Sequence, residues 1–120
     1  MKIVYIAHPI SGNILENLKK IIIIIRELNL KRRDIIPFAH YFVDCYALHD
    51  SIPFERKRGI KNDKEFFRRK IFDELWLYGD RISDGMWDEI KLATSLNIPI
   101  YAKSKETKKA LITKILKLKK

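Results

Sequence analysis

Cysteine is nearly absent from this sequence. Cys45 is the only one in 120 residues, so no internal disulfide can form and no thiol pair has metal-ligand spacing. The three histidines, His8, His40 and His49, show no repeating ligand spacing, which leaves zinc unsupported. No apolar run approaches the roughly 20 residues of a membrane span. The longest candidate, Ile21 to Ile25, is hemmed in by Lys19, Lys20 and Arg26. The N-terminal apolar stretch carries one Lys and is broken by His8, which makes a poor signal peptide. The expectation is a cytoplasmic protein with no membrane and no metal. With no internal repeat and no linker-like stretch, one domain over residues 1–120 is expected.

Acid is also scarce: 15 Asp+Glu stand against 25 Lys+Arg, a formal charge of +10. The excess is local. Residues 103–120 hold eight Lys and one Glu, whereas residues 1–102 hold 17 basic and 14 acidic groups. In the terminal segment Ala110, Leu111, Ile115 and Leu118 repeat at helical spacing, which predicts a Lys-rich amphipathic helix packed on the body. Binding of nucleic acid through that helix is the less favoured reading. The 47% apolar content rules out wholesale disorder.

Residues 2–7 form a short β-rich apolar run suited to a buried parallel strand. Pro9, Ser11 and Gly12 break it. Asn13, with Glu16 three residues on, is close to a capping box. The helix it opens runs to about Leu28, with Ile14, Leu15, Leu18, Ile21, Ile22, Ile25 and Leu28 as one broad apolar face. A second strand spans Asp34 to about Phe38. Residues 40–52 read as aromatic-rich and irregular. Ser51 and Pro53 signal a helix start, with Pro in the first turn, running broken or continuous to about Phe72. Glu74–Tyr78, a helix over 84–96, a strand over 98–102 and the terminal helix complete the order. This alternation predicts an α/β fold, a doubly wound three-layer parallel sheet of about four strands in order 2-1-3-4. Ligands in such sheets sit outside the carboxyl ends of the strands, where the winding reverses. The loops His8–Asn13 and Gly79–Gly85 then face one crevice.

Glu89 is the leading chemical candidate. Its helical neighbours Gly85, Met86, Leu92 and Ala93 include no base, so it has no local ion-pair partner. It borders the stripe of Met86, Ile90, Ala93 and Leu96, where a half-buried carboxylate acquires a shifted pKa. A boundary glutamate paired from elsewhere is the plainer reading. Asp88, with Lys91 three residues on, reads as surface. Asp73 and Glu74 flank the third strand and read as strand-edge charges by themselves. Ser83 and Asp84 suit an N-cap, and a helix N-terminus also holds anions. Tyr5, inside the first strand, reads as a core tyrosine.

Three segments together carry a resemblance. Val4-Tyr5-Ile6-Ala7-His8-Pro9-Ile10-Ser11-Gly12 resembles the opening strand and loop of nucleoside 2-deoxyribosyltransferases and the related deoxynucleotide N-hydrolases. Phe72–Gly79 is similar to their third strand. Ser83–Ala93 looks like their catalytic helix, with Gly85 four residues before the glutamate. The small phage and bacterial branch of that superfamily is the most similar. There the Phe38–Tyr41 segment containing His40, and Glu55-Arg56 before Gly59, also look familiar. The resemblance covers roughly residues 2–102.

It implies a Rossmann-like fold and a set of roles. Glu89 falls on the nucleophile that attacks C1′ of the sugar, Tyr5 on the residue that orients it, and Asp73 on an acid near the base or sugar. Ser83, Asp84, Gly85 and Met86 fall on or beside the 5′-phosphate site. Ala7, His8, Pro9, Gly12, His40 and Arg56 fall among the substrate-binding positions. Transferases often carry Asp where Ser83 stands, which tilts the reading towards nucleotides. His8 departs from the small residues common at its place, and there is no clear fifth strand.

The function implied is cleavage or transfer of the N-glycosidic bond of a (deoxy)nucleoside or its 5′-monophosphate, needing no cofactor. The alternatives are a non-catalytic nucleotide-binding module and the basic-helix nucleic-acid binder. The resemblance and the aromatics of residues 41–46 suggest a homo-oligomer.

Overall fold

The computed structural model describes residues 1–118, with the elements β1 Lys2–Ala7, α1 Ile14–Lys31, β2 Ile35–Phe38, α2 Tyr41–Ala47, α3 Pro53–Arg68, β3 Glu74–Leu77, α4 Asp84–Ser95, β4 Ile100–Ala102 and α5 Lys105–Leu118. All strand pairs are parallel, and the sheet order is β2-β1-β3-β4, a Rossmann-like α/β arrangement. β1 is central: Tyr5 stands opposite Phe38 of β2 and Leu75 of β3. Both neighbours of β1 are crossover partners, so the winding reverses at its carboxyl end.

Alternation along the strands divides the core. Tyr5, Ala7, Leu75 and Leu77 join a large cluster with Tyr41, Phe67, Phe72, Met86, Ile90 and Ala93. Val4, Ile6, Ile35 and Trp76 form a smaller one, against which Ile24 and Leu28 of α1 pack. Successive strand residues point to opposite faces, so a one-residue step moves a side chain from one core to the other.

The helix starts follow local chemistry. The Asn13 side chain accepts from the Glu16 N–H, and Ser83 Oγ accepts from the Met86 N–H. Pro53 occupies the first turn of α3, which runs unbroken through Gly59.

Three sequence expectations are corrected. Residues 41–47 form a helix rather than an irregular segment. Fewer than two turns carry too little periodicity to be legible, yet Tyr41 is buried and its hydroxyl donates to the Ile6 carbonyl at 2.5 Å. The apolar face expected on α1 is only partly used: Leu18 and Ile21 are buried while Leu15 and Ile22 are exposed. An 18-residue helix has more apolar surface than the sheet beside it can cover.

α5 forms, but its stripe is packed only in part: Ala110 and Leu111 are half-buried. Thr107 is its one buried residue, and Ile115 and Leu118 are exposed. It is pinned at its start, where Ser104 Oγ donates to the Gly79 carbonyl at 2.7 Å and Thr107 Oγ1 donates to the Leu77 carbonyl at 3.2 Å. The last two positions of the expected 103–120 helix lie outside the described residues. Among the described residues, no helix is long and apolar enough to cross a membrane.

Candidate active site

The centre of the site is Tyr5. Its position in β1 turns it into the larger core, where its ring lies 4.9 Å from Phe67 and 5.0 Å from Phe72 between centroids, with Tyr41 at 5.8 Å. These rings fix the phenol, so the hydroxyl is the only polar atom it presents. That hydroxyl meets two carboxyls. Asp63 Oδ2 lies 2.9 Å away, and Glu89 Oε2 is in direct hydrogen-bond contact.

Each acid is delivered by a helix docked through apolar neighbours. Asp63 precedes Phe67 of α3 by four residues and therefore shares its face. Because Phe67 packs on Tyr5, Asp63 is carried to the phenol oxygen. Glu89 sits among Met86, Ile90 and Ala93, the three buried residues of α4 that share its turns. Its side chain borders that stripe and remains partly open.

Burial governs the electrostatics. It pushes the Glu89 carboxyl up to about 8; the Tyr5 hydrogen bond opposes this, and the charges of Asp63 and Asp88 add to it. Burial likewise raises Asp63 to about 6; the bond from Tyr5 draws it down, Asp44 pushes it up and His40 draws it down. Neither acid forms a salt bridge among the described residues. Asp63 Oδ1 is buried with no hydrogen-bond partner there, an acceptor left with unused capacity.

The two loops expected to meet do meet. Gly79, at φ +101°, lies against Pro9 so closely that a Cβ there would stand 2.5 Å from Pro9 Cδ and 3.4 Å from His8 Nε2. Arg81 Nη2 donates to the Ser11 carbonyl at 2.9 Å, next to Gly12, whose φ of +98° suits glycine. Ala7 and Pro9 are buried beneath this junction. His8 is buried too; its Nδ1 lies 2.7 Å from the Pro9 carbonyl, and burial lowers its pKa, so it is a neutral wall rather than a cation.

Ser83 caps α4, and Met86 is spent on the fold, its side chain buried and its N–H given to Ser83 Oγ. Asp84 and Gly85 are exposed, and a Cβ on Gly85 would meet nothing within 4 Å. The start of α4 is thus open beside Arg81.

Three sequence assignments change. Asp73 is not beside Glu89. It lies exposed at the start of β3, opposite the carboxyl end, and its Oδ2 accepts from the Ile3 N–H at 2.8 Å. Arg56 is a surface residue 3.8 Å from the Asp50 carboxylate. His40 stands at the rim, its Nε2 3.6 Å from Asp44 Oδ1 and its ring packed on Phe66, beside the site rather than in contact with Glu89.

Asp63, Tyr41 and Arg81 were not singled out by the sequence. Asp63 stands in the run Lys61-Asn62-Asp63-Lys64-Glu65, which has the composition of a solvated face. The one available signal was its four-residue spacing from Phe67. Among the described residues, no group of three or more His, Cys, Asp or Glu could hold a metal ion.

A family model described as "Domain of unknown function (DUF7768)" matches residues 2–103, and the chain belongs to that family. No curated protein and no solved structure matches it.

Proposed function

We propose that this member of the DUF7768 family cleaves or transfers the N-glycosidic bond of a nucleoside or nucleoside 5′-monophosphate, with Glu89 as nucleophile and Asp63, in place of Asp73, as the acid. One observation carries the reading: two half-buried carboxyls, with no Lys or Arg partner among the described residues, converge on one tyrosine hydroxyl beneath the carboxyl end of β1. Structural acids are normally paired, whereas acids with raised pKa values at a crevice suit proton transfer and covalent catalysis.

Breaking a C1′–N bond develops positive charge on the sugar. Glu89, ionised, stabilises that charge or bonds to C1′, as in retaining glycosidases. The leaving base takes a proton from Asp63, whose burial keeps it near neutral titration. Water then completes hydrolysis, or a second base completes transfer. Arg81 and the open first turn of α4 offer a cation and backbone N–H groups to a 5′-phosphate.

The test is direct. The protein is incubated with deoxynucleosides and their 5′-monophosphates, and free base is followed by chromatography. Base release that disappears in Glu89→Ala supports the reading. Release that Glu89→Ala leaves unchanged, or no release from any substrate, sinks it, and binding without release returns the non-catalytic nucleotide module.

A further inference from the structure

Tyr5 has one hydroxyl hydrogen, yet its oxygen contacts two carboxyls, Asp63 Oδ2 at 2.9 Å and Glu89 Oε2. A phenol donates to only one of them, and an ionised carboxylate has no hydrogen to give in return. If both acids were ionised, one contact would set a carboxylate oxygen against the lone pairs of the phenol oxygen. Ionising Tyr5 would make matters worse, and burial together with the two acids holds its pKa well above the usual phenol value.

Among the described residues, no Lys or Arg acts on the pair; His40 alone draws Asp63 towards ionisation, and it stands at the rim beside Asp44. The groups acting on Glu89 are Tyr5 of β1, Asp63 of α3 and Asp88 of its own helix. Those acting on Asp63 are Tyr5 of β1 and, from the α2 side, Asp44 and His40. Tyr41 of α2 also faces the pair, but its hydroxyl is committed to the Ile6 carbonyl, and the nearby Cys45 thiol is pushed up to about 11 and stays neutral. None of these groups is Lys or Arg.

We propose that Asp63, Tyr5 and Glu89 hold one proton in common, and that Tyr5 passes it from Glu89 to Asp63 as positive charge develops beside Glu89. Only the second clause rests on the glycosidic reading above; the first concerns the resting protein.

Each contact then has one hydrogen. In the resting arrangement Glu89 is protonated and donates to the phenol oxygen, while the phenol donates to the Asp63 carboxylate. The higher proton affinity that burial gives Glu89 favours this arrangement at neutral pH. In the reacting arrangement the Glu89 O–H bond breaks and its proton joins the phenol oxygen, while the phenol hydrogen moves to Asp63 Oδ2. Glu89 is left a carboxylate, Tyr5 neutral and Asp63 a carboxylic acid. The charge on the three groups is unchanged, and solvent supplies nothing. Glu89 then bonds C1′, the C1′–N electron pair leaves with the base, and the base takes the Asp63 proton. One event arms the nucleophile and the acid together. Tyr5 is thereby a positioning residue that also carries the proton.

Infrared difference spectroscopy across a pH titration of the intact protein, with carboxyl-labelled Glu or Asp, tests the shared proton without substrate. The expected result is the carbonyl band of a protonated carboxyl at pH ~7, assigned to Glu and absent in Glu89→Gln. In Asp63→Asn the titration midpoint of Glu89 falls by about one pH unit or more, roughly tenfold in proton affinity, because Tyr5 then donates to Glu89 alone. A parent protein with no protonated carboxyl at neutral pH overturns the proposal, and so does an Asp63→Asn midpoint equal to the parent's. The parent spectrum needs no variant, so a misfolded substitution cannot blur the answer.

The relay is read from the pH profile of base release in Tyr5→Phe. A relay predicts that the parent's acidic limb lies below the Glu89 midpoint read by infrared, and that in Tyr5→Phe the limb coincides with the Glu89 midpoint of that variant, since Glu89 must then lose its proton to solvent. A parent limb already at its own Glu89 midpoint overturns the relay. If the parent releases no base, the glycosidic reading and the relay fall together, while the infrared band still decides the shared proton.

Discussion

On one face of the sheet, Tyr5, Leu75 and Leu77 lie among Tyr41, Phe67, Met86 and Ile90; on the other, Val4, Ile6, Ile35 and Trp76 lie against Ile24 and Leu28. Each face has its own glutamate, Glu74 at the start of β3 and Glu89 on α4. Glu74 keeps company with Trp76: its Oε1 accepts from Trp76 Nε1 at 2.8 Å, its Oε2 accepts from Lys2 Nζ at 2.8 Å, and the Lys2 ammonium holds its carboxyl below the usual range. Glu89, beneath Tyr5, has no Lys or Arg partner among the described residues and is pushed up to about 8 by burial. The same side chain is a satisfied structural group on one face and a costly one on the other. Burying an acid without a base destabilises a fold, so such a group persists where it does work. The Val4 face contributes stability without that burden.

The comparison can be broken in several ways. The largest effect is expected from Glu89→Gln, which should reduce base release on the order of 10³-fold or more, whereas Glu74→Gln should leave turnover nearly unchanged; comparable losses from both would erase the distinction between the faces. Next comes Ile6→Ala on the Val4 face, expected to lower stability by about 2–5 kcal/mol in urea titrations. Its activity per folded molecule should remain near that of the parent.

The pH dependence of stability should differ in sign between the two glutamates. The Glu89 pKa is raised from 4.5 to about 8, so its contribution is fully present below the unfolded value and is lost as pH rises through the folded one. The Glu74 pKa is lowered, so its contribution is present above its unfolded value and is lost as pH falls. Unfolding measured from mildly acidic to mildly alkaline pH should show stability declining, with Glu89→Gln removing roughly 1–3 kcal/mol of that decline. A Glu89→Gln curve parallel to the parent's would contradict the burial of a neutral acid.

The smallest expected effect is from Gly79→Ala, where a Cβ would stand 2.5 Å from Pro9 Cδ at a φ of +101°. A cost of about 1–2 kcal/mol is expected from thermal melts, with weaker nucleotide binding as the His8–Pro9 loop is displaced.

Much of this plan was legible in the sequence, for identifiable reasons. The strand order followed from alternation of elements and from breakers placed after the strands. Glu89 is legible because nothing basic lies one turn away, and the described residues supply no Lys or Arg from elsewhere. Asp63 was illegible because its neighbours in the chain are charged and its burial comes from Phe67 docking on Tyr5, a contact between α3 and β1 that local spacing does not encode. Asp73 enters the site only through the resemblance; read from its own position it is a strand-edge charge, and there the structure has it, exposed at the opposite end and holding the Ile3 amide. The α2 helix is too short to show a period, and the α5 stripe has a helical period but is covered only over Ala110 and Leu111.

The hydroxyl of Tyr5 is bonded to residues 58 and 84 positions further along the chain. Contacts of such separation close late, since loop entropy must be met before they contribute. The β1–β3 pairing closes over a comparable span, with Tyr5 opposite Leu75, so the two acids are desolvated as the centre of the sheet closes and their cost is met at that step. Replacing Glu89 by Gln should therefore speed refolding as well as slow unfolding. The seam that must close for the sheet to exist is also the one that gathers the two acids.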